Sequence, residues 1–186
     1  MLNFFEKQKK LNLVSFDLSK SLGDGADGEV FDLKDKVVKI SLIQDEDTDA
    51  SFMKNIEKIK LANLPHFAKV FTFGKICSGV RTDWVGMKYS CYFYTMEKLN
   101  KISEDEKKVF HTLLSHEDSN KIKDLTKTNI LDDLKSYLEF DKNKILVFIN
   151  QIINHEIKHN DMHPRNIMKD SFGNFKFIDF DRVLCK

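Results

Sequence analysis

Asp161, Asn166 and Asp179 are the residues of this 186-residue chain whose types and spacing best suit chemistry. They lie in two short stretches, His159-Asn160-Asp161-Met162-His163-Pro164-Arg165-Asn166 and Phe177-Ile178-Asp179-Phe180-Asp181. Asn166 follows Asp161 by five residues, and Asp179 follows Asn166 by thirteen. Two carboxylates and an amide brought together offer oxygen donors to a hard divalent cation and an acceptor for a hydroxyl proton. Phosphoryl transfer needs little more at its centre than these groups and a cradle for phosphate. Asp161 is the candidate to orient or deprotonate the hydroxyl, and Asn166 and Asp179 are the candidate Mg²⁺ ligands. Singly, Asp161 and Asn166 read equally well as turn formers. Asp179 is harder to dismiss, because a core strand rarely holds a carboxylate without a partner.

Two features of the first half bear on a phosphate cradle. Gly23, Gly25 and Gly28 form G-x-G-x-x-G, with Val30 two residues on. Glycines let backbone N–H groups approach phosphate without a Cβ in the way. The same pattern also fits a plain glycine-containing hairpin, and the strand reading of residues 29–33 excludes the helix that a dinucleotide fingerprint requires. Lys39 sits in the apolar run Val37-Val38-Lys39-Ile40, where an ammonium must reach a partner or solvent. The expected partner is a carboxylate on the following helix, Glu57 first and Glu46 second.

These residues need elements to position them. Residues 12–22, 29–33, 36–42, 68–73 and 87–96 read as strands from their alternation and their β-branched and aromatic content. Asp35-Lys36 marks a tight turn, and residues 74–86 a turn with a further strand. Phe52, Ile56 and Ile59 fall at helical spacing within a helix over 51–63, which Leu64-Pro65 ends. Past residue 100 the reading becomes helical, over 103–115, 129–140 and a densely apolar helix over 145–157 that leads into the His159 loop. A hairpin over 167–178 follows. The composition shift at Asn100 divides the chain into lobes 1–99 and 100–186.

Composition bounds the rest. Hydrophobic residues make up 41% and include 16 Phe, so a sizeable core is expected. The net charge of +1 gives no case for nucleic acid or membrane binding. The three cysteines are widely spaced with no C-x-x-C, which fits a reducing compartment. With no signal peptide or apolar span in the sequence, the expectation is a soluble, cytoplasmic protein.

In this order the pieces resemble the protein kinase-like superfamily. Leu22 to Val30 looks like its glycine-rich loop, and Val37-Val38-Lys39 like its V-A-I-K strand. His159-Asn160-Asp161…Asn166 looks like H-R-D-x-x-x-x-N, and Asp179-Phe180-Asp181 stands where D-F-G would be. The resemblance implies a bilobal α+β fold, with an antiparallel sheet and one helix in the first lobe and a reduced helical second lobe. It implies ATP and Mg²⁺ as cofactors, backbone groups of Glu97 and Leu99 on adenine, and Val30, Val37 and Met168 around the ring.

Three departures qualify it. Asn160 replaces the arginine that ties many kinase loops to a phosphorylated segment. His163-Pro164 is closer to aminoglycoside and choline kinases. Only seven residues follow Asp179, so the activation segment and later substrate-binding helices have no counterpart. The reading is a Mg·ATP-dependent phosphotransferase, a minimal serine/threonine protein kinase. The alternatives are a pseudokinase that holds nucleotide and binds a partner, or a kinase of small-molecule hydroxyls. A lobe cut short would bare the 145–157 helix, which predicts a protein partner or a homodimer covering it.

Overall fold

Runs rich in valine, isoleucine and aromatic residues pair into a sheet, because side chains of that shape pack on a pleated surface. The computed structural model describes residues 18–25, 28–43, 46–80, 88–114, 142–154, 157–159, 161–180 and 183–185. Its first half contains β1 (Ser21–Gly25), β2 (Gly28–Asp32), β3 (Lys36–Ile43), α1 (Glu46–Ala62), β4 (Val70–Val80) and β5 (Lys88–Glu97). The strands form one antiparallel five-stranded sheet in the order β1-β2-β3-β5-β4. The class is α+β, as expected.

Several boundaries differ from the expected ones. Helix α1 takes in the acidic segment from Glu46, where carboxylates favour a helix N-terminus. It ends at Asn63, whose φ of 44° is a left-handed cap and whose N–H donates to the Ile59 carbonyl. The β2–β3 turn centres on Lys34 (φ 73°) and Asp35, one residue before the expected place. Strand β4 runs on through Gly74 to Val80, so the strand expected within 74–86 continues the one expected over 68–73. A Cβ on Gly74 would lie 2.8 Å from the Phe93 ring across the pair, so this glycine makes room for an aromatic side chain.

The second half adds β6 (Asn100–Lys101), α2 (Glu104–Leu114), α3 (Lys142–Asn154), β7 (Ile157–His159), β8 (Ile167–Lys169), β9 (Phe175–Phe177) and β10 (Val183–Cys185). Strands β6, β8 and β9 form one small sheet, and β7 pairs with β10. Helix α3 stops at Asn154, and Ile157, expected in the helix, opens β7. The segment 129–140, read as helical, lies outside the described residues.

One core runs through both halves, from Phe52, Ile56 and Tyr94 to Phe110, Phe148 and Phe177. Phe110 meets Phe148 and Phe175 edge-on, at 5.6 and 4.9 Å between centroids, a favoured aromatic geometry. Ile145, Phe148 and Ile149 of α3 are buried in this core by the chain itself. Val147 of the same helix stays exposed.

Backbone bonds join the halves. The Phe177 N–H donates to the His66 carbonyl and the Ala68 N–H to the Phe177 carbonyl, both at 2.8 Å. The Glu97 carboxylate adds a second tie, accepting from the Lys69 N–H (2.7 Å) and from the Lys176 ammonium (2.6 Å).

At the start of α2, Ser103 and Glu106 form a reciprocal capping box, and the second Glu106 oxygen accepts from Lys169 at 2.8 Å. Burial pushes the Glu106 carboxyl up, but Lys169 and the Ser103 N–H outweigh it and hold the group below its ordinary 4.5. A depressed carboxyl contributes stability that is present above the unfolded pKa and lost as pH falls through the folded one. Glu106→Ala is therefore expected to destabilise the fold by about 3 kcal/mol at pH 7. The gap from wild type should narrow as pH drops below 4.5, which denaturant unfolding at pH 7 and at pH 3 would measure.

Candidate active site

Alternation along β3 decides where Lys39 points. Val38 and Ile40 face a small cluster with Phe31 and Cys91, whereas Val37 and Ile43 face the main core. Lys39 shares the second face, and its residue is only 6% exposed. A buried ammonium needs a counter-charge. Its Nζ lies 2.5 Å from Asp179 Oδ1, across 140 residues of sequence. This differs from the expected pairing with Glu57. Glu57 is exposed on α1, because Phe52, Asn55, Ile56 and Ile59 take the inward face. The Glu46 side chain lies outside the described residues.

The loop carrying Asp161 is folded back by a single 3₁₀ turn, Pro164–Asn166. Pro164 is buried at its first position, where a missing N–H costs nothing. His163 caps the turn, its Nδ1 accepting the Arg165 N–H at 3.1 Å. The turn returns Asn166 to Asp161, with Nδ2 3.0 Å from both the backbone oxygen and Oδ2 of Asp161. Two acceptors around one atom identify it as the amide nitrogen and direct the amide oxygen elsewhere. The next link is the Ile178 N–H, which donates to the Asn166 carbonyl at 2.8 Å. That bond sets Asp179 beside the Asp161–Asn166 loop, so the two motifs and Lys39 converge.

Asp179 has a φ of 64°, a left-handed conformation that aspartate tolerates better than most residues. Its carboxylate and the Asn166 amide oxygen are hard donors. They suit a cation such as Mg²⁺, which takes one or two protein oxygens and fills its other positions with water and phosphate. Among the described residues no group of three His, Cys, Asp or Glu forms a self-sufficient metal cluster. An acid-and-amide pair completed by phosphate is the arrangement these side chains fit.

The remaining candidates are distributed over the sheet, the segment after it and β8. Val30 lies opposite Lys39 on β2, and Val37 opposite Met96 on β5. Val30 and Leu99 pack on the main core that contains Val37, and Met168 is half-buried. Ile178, which sequence reasoning passed over, packs there too. The Glu97 N–H is taken by the Lys69 carbonyl at 3.0 Å, so any adenine contact at this residue falls to its carbonyl. The glycines divide by role. Gly25 pairs with Gly28 at the end of the β1–β2 hairpin. A Cβ on Gly23 would meet nothing within 4 Å, whereas one on Gly28 would lie 2.2 Å from the Ile40 carbonyl oxygen. Gly28 is therefore required by strand packing whatever the loop binds. Asp24 is exposed, and Asp27 and Asp181 lie outside the described residues.

A further set of charges was not read from the sequence. Asp32, at the end of β2, accepts from Lys98 at 2.8 Å and Lys20 at 2.9 Å. Those two lysines hold its carboxyl far below the usual range. Lys98 stands between Glu97 and Leu99, so Asp32 ties that segment to the β2–β3 hairpin.

Comparison with known proteins agrees with the resemblance read from the motifs. The chain is 30% identical over 175 residues to a probable serine/threonine-protein kinase of Dictyostelium discoideum. The match covers 90% of this chain, which spans about a third (32%) of that relative's length. No family model matches the chain. Among solved structures it is similar to WbdD. One WbdD structure, with the kinase inhibitor LY294002, is 18% identical with a TM-score of 0.45, over 88% of this chain and 32% of that one. Another is 17% identical with a TM-score of 0.47, over 91% and 33%. Among the described residues no helix is long and apolar enough to cross a membrane.

Proposed function

We propose that the chain is a Mg·ATP-dependent phosphotransferase with a hydroxyl acceptor, acting as a minimal serine/threonine protein kinase in the cytoplasm. One observation carries the reading. The Ile178–Asn166 backbone bond brings the Lys39–Asp179 ion pair against the Asp161–Asn166 pair. Residues 1–99 supply the nucleotide side and residues 100–186 the catalytic side. Val30, Val37, Met168 and the backbone of Glu97 and Leu99 receive the adenine, and the loop of Gly23, Gly25 and Gly28 covers the phosphates.

Asn166 and Asp179 would hold Mg²⁺, which neutralises charge on the phosphates when bound. Lys39 exchanges its Asp179 contact for phosphate oxygens as nucleotide enters. Asp161 accepts the proton of the acceptor hydroxyl. That oxygen forms the new bond to the γ-phosphorus as the bond from phosphorus to the bridging oxygen breaks, and ADP leaves. The Asn166 amide positions the Asp161 carboxylate throughout.

The test uses purified protein, γ-labelled ATP, a cell lysate and general protein acceptors, with and without chelator. Label is expected on protein, and it should vanish when Mg²⁺ is chelated. Label confined to metabolite fractions would move the acceptor to a small molecule, the direction in which His163-Pro164 points. ATP bound with no transfer to any fraction would replace the enzyme by a nucleotide-holding interaction module.

A further inference from the structure

Asp179 occupies a conformation that its own backbone does not favour. At φ 64° it lies in the left-handed region, which residues other than glycine adopt infrequently. Such a residue persists only where its surroundings over-determine it. Two hydrogen bonds bracket it. Before it, the Ile178 N–H donates to the Asn166 carbonyl at 2.8 Å. After it, the Phe180 N–H donates to the Tyr94 hydroxyl at 3.3 Å.

The second bond comes from the sheet. Tyr94 pairs with Lys39 across β5 and β3, so the two side chains stand side by side on one face. Lys39 takes the Asp179 carboxylate, and Tyr94 takes the next peptide N–H. The Phe180 ring is buried with its centroid 5.5 Å from Tyr94 and 5.8 Å from Phe67. Tyr94 itself is fully buried, where a phenol needs a hydrogen-bond partner.

We infer that Tyr94 is a positioning residue, whose hydroxyl pins the Asp179–Phe180 peptide so that the Asp179 carboxylate keeps the orientation needed to hold a divalent cation. The inference rests on the phosphotransferase reading for the cation, but the pinning itself does not. Tyr94→Phe removes only the hydroxyl and leaves the ring to pack.

Two readouts separate the role from mere stability. First, Tyr94→Phe should raise the Mg²⁺ concentration for half-maximal ATP binding by about tenfold, the effect of one net hydrogen bond. Affinity for ATP without metal should stay within about twofold, since no adenine or phosphate contact is lost. A merely structural residue would weaken both alike, and that result would overturn the inference. Second, hydrogen exchange of the Phe180 amide, measured without nucleotide, should be slow in wild type. It should quicken in Tyr94→Phe while the β3 amides stay protected. Unchanged Phe180 protection in the variant would also overturn it. If wild type binds no ATP in a Mg²⁺-dependent way, the phosphotransferase reading has failed, and the exchange experiment still decides whether Tyr94 pins the peptide. Should Tyr94→Phe not fold, a rapidly exchanging Phe180 amide in wild type refutes the bond and a slow one supports it.

Discussion

Asp161→Ala is expected to lower phosphoryl transfer by about a thousandfold, within the range that general base catalysis contributes. Nucleotide affinity should change little, because Lys39 and Asp179 remain. The loop should also survive. Asn166 loses Asp161 Oδ2 as an acceptor but keeps the Asp161 backbone oxygen, also at 3.0 Å. His163 still caps the 3₁₀ turn through Arg165. The check is single-turnover transfer beside an ATP binding titration. Retained turnover would remove Asp161 from the mechanism, and joint loss of binding and turnover would make its role structural.

Lys39→Met should reduce transfer by at least about a hundredfold, equivalent to about 2.7 kcal/mol of lost charge stabilisation. Methionine follows much the same path as the lysine stem and leaves out the ammonium. Removing one partner of an ion pair is costly where the charge left behind stays buried. The Asp179 side chain is 37% exposed, so it can stay hydrated when Lys39 is gone. Melting temperature should therefore hold while turnover falls. Turnover near the wild-type level in a folded variant would exclude Lys39 as a phosphate contact.

Much of this arrangement was legible before any coordinates. Strands β2, β3 and β5 declared themselves through alternation and aromatic content, whereas β1 lies mostly beyond the strand expected over 12–22. Asp161 and Asn166 are hydrogen-bonded to each other, and the Ile178–Asn166 bond brings Asp179 next in line. What was not legible had specific causes. Helix α1 begins in a polar, acidic stretch with no apolar period to mark it. Gly74 looks like a turn residue until Phe93 is placed across from it. Glu57 borders the apolar stripe of α1, and which side of a stripe turns inward depends on how the helix docks. Tyr94 and Asp32 act through partners 86 and 66 residues away, pairings that no local pattern contains.

The long reach of the Lys39–Asp179 contact also bears on how the protein folds. Neighbouring sheet strands are mostly joined by short connections, and contacts of that kind form early because little loop entropy opposes them. The ion pair spans 140 residues and can close only after the second half has docked on the first. During refolding, the sheet's spectroscopic signal should then return before the protein regains any capacity to bind nucleotide. In the interval the chain has its sheet but no site.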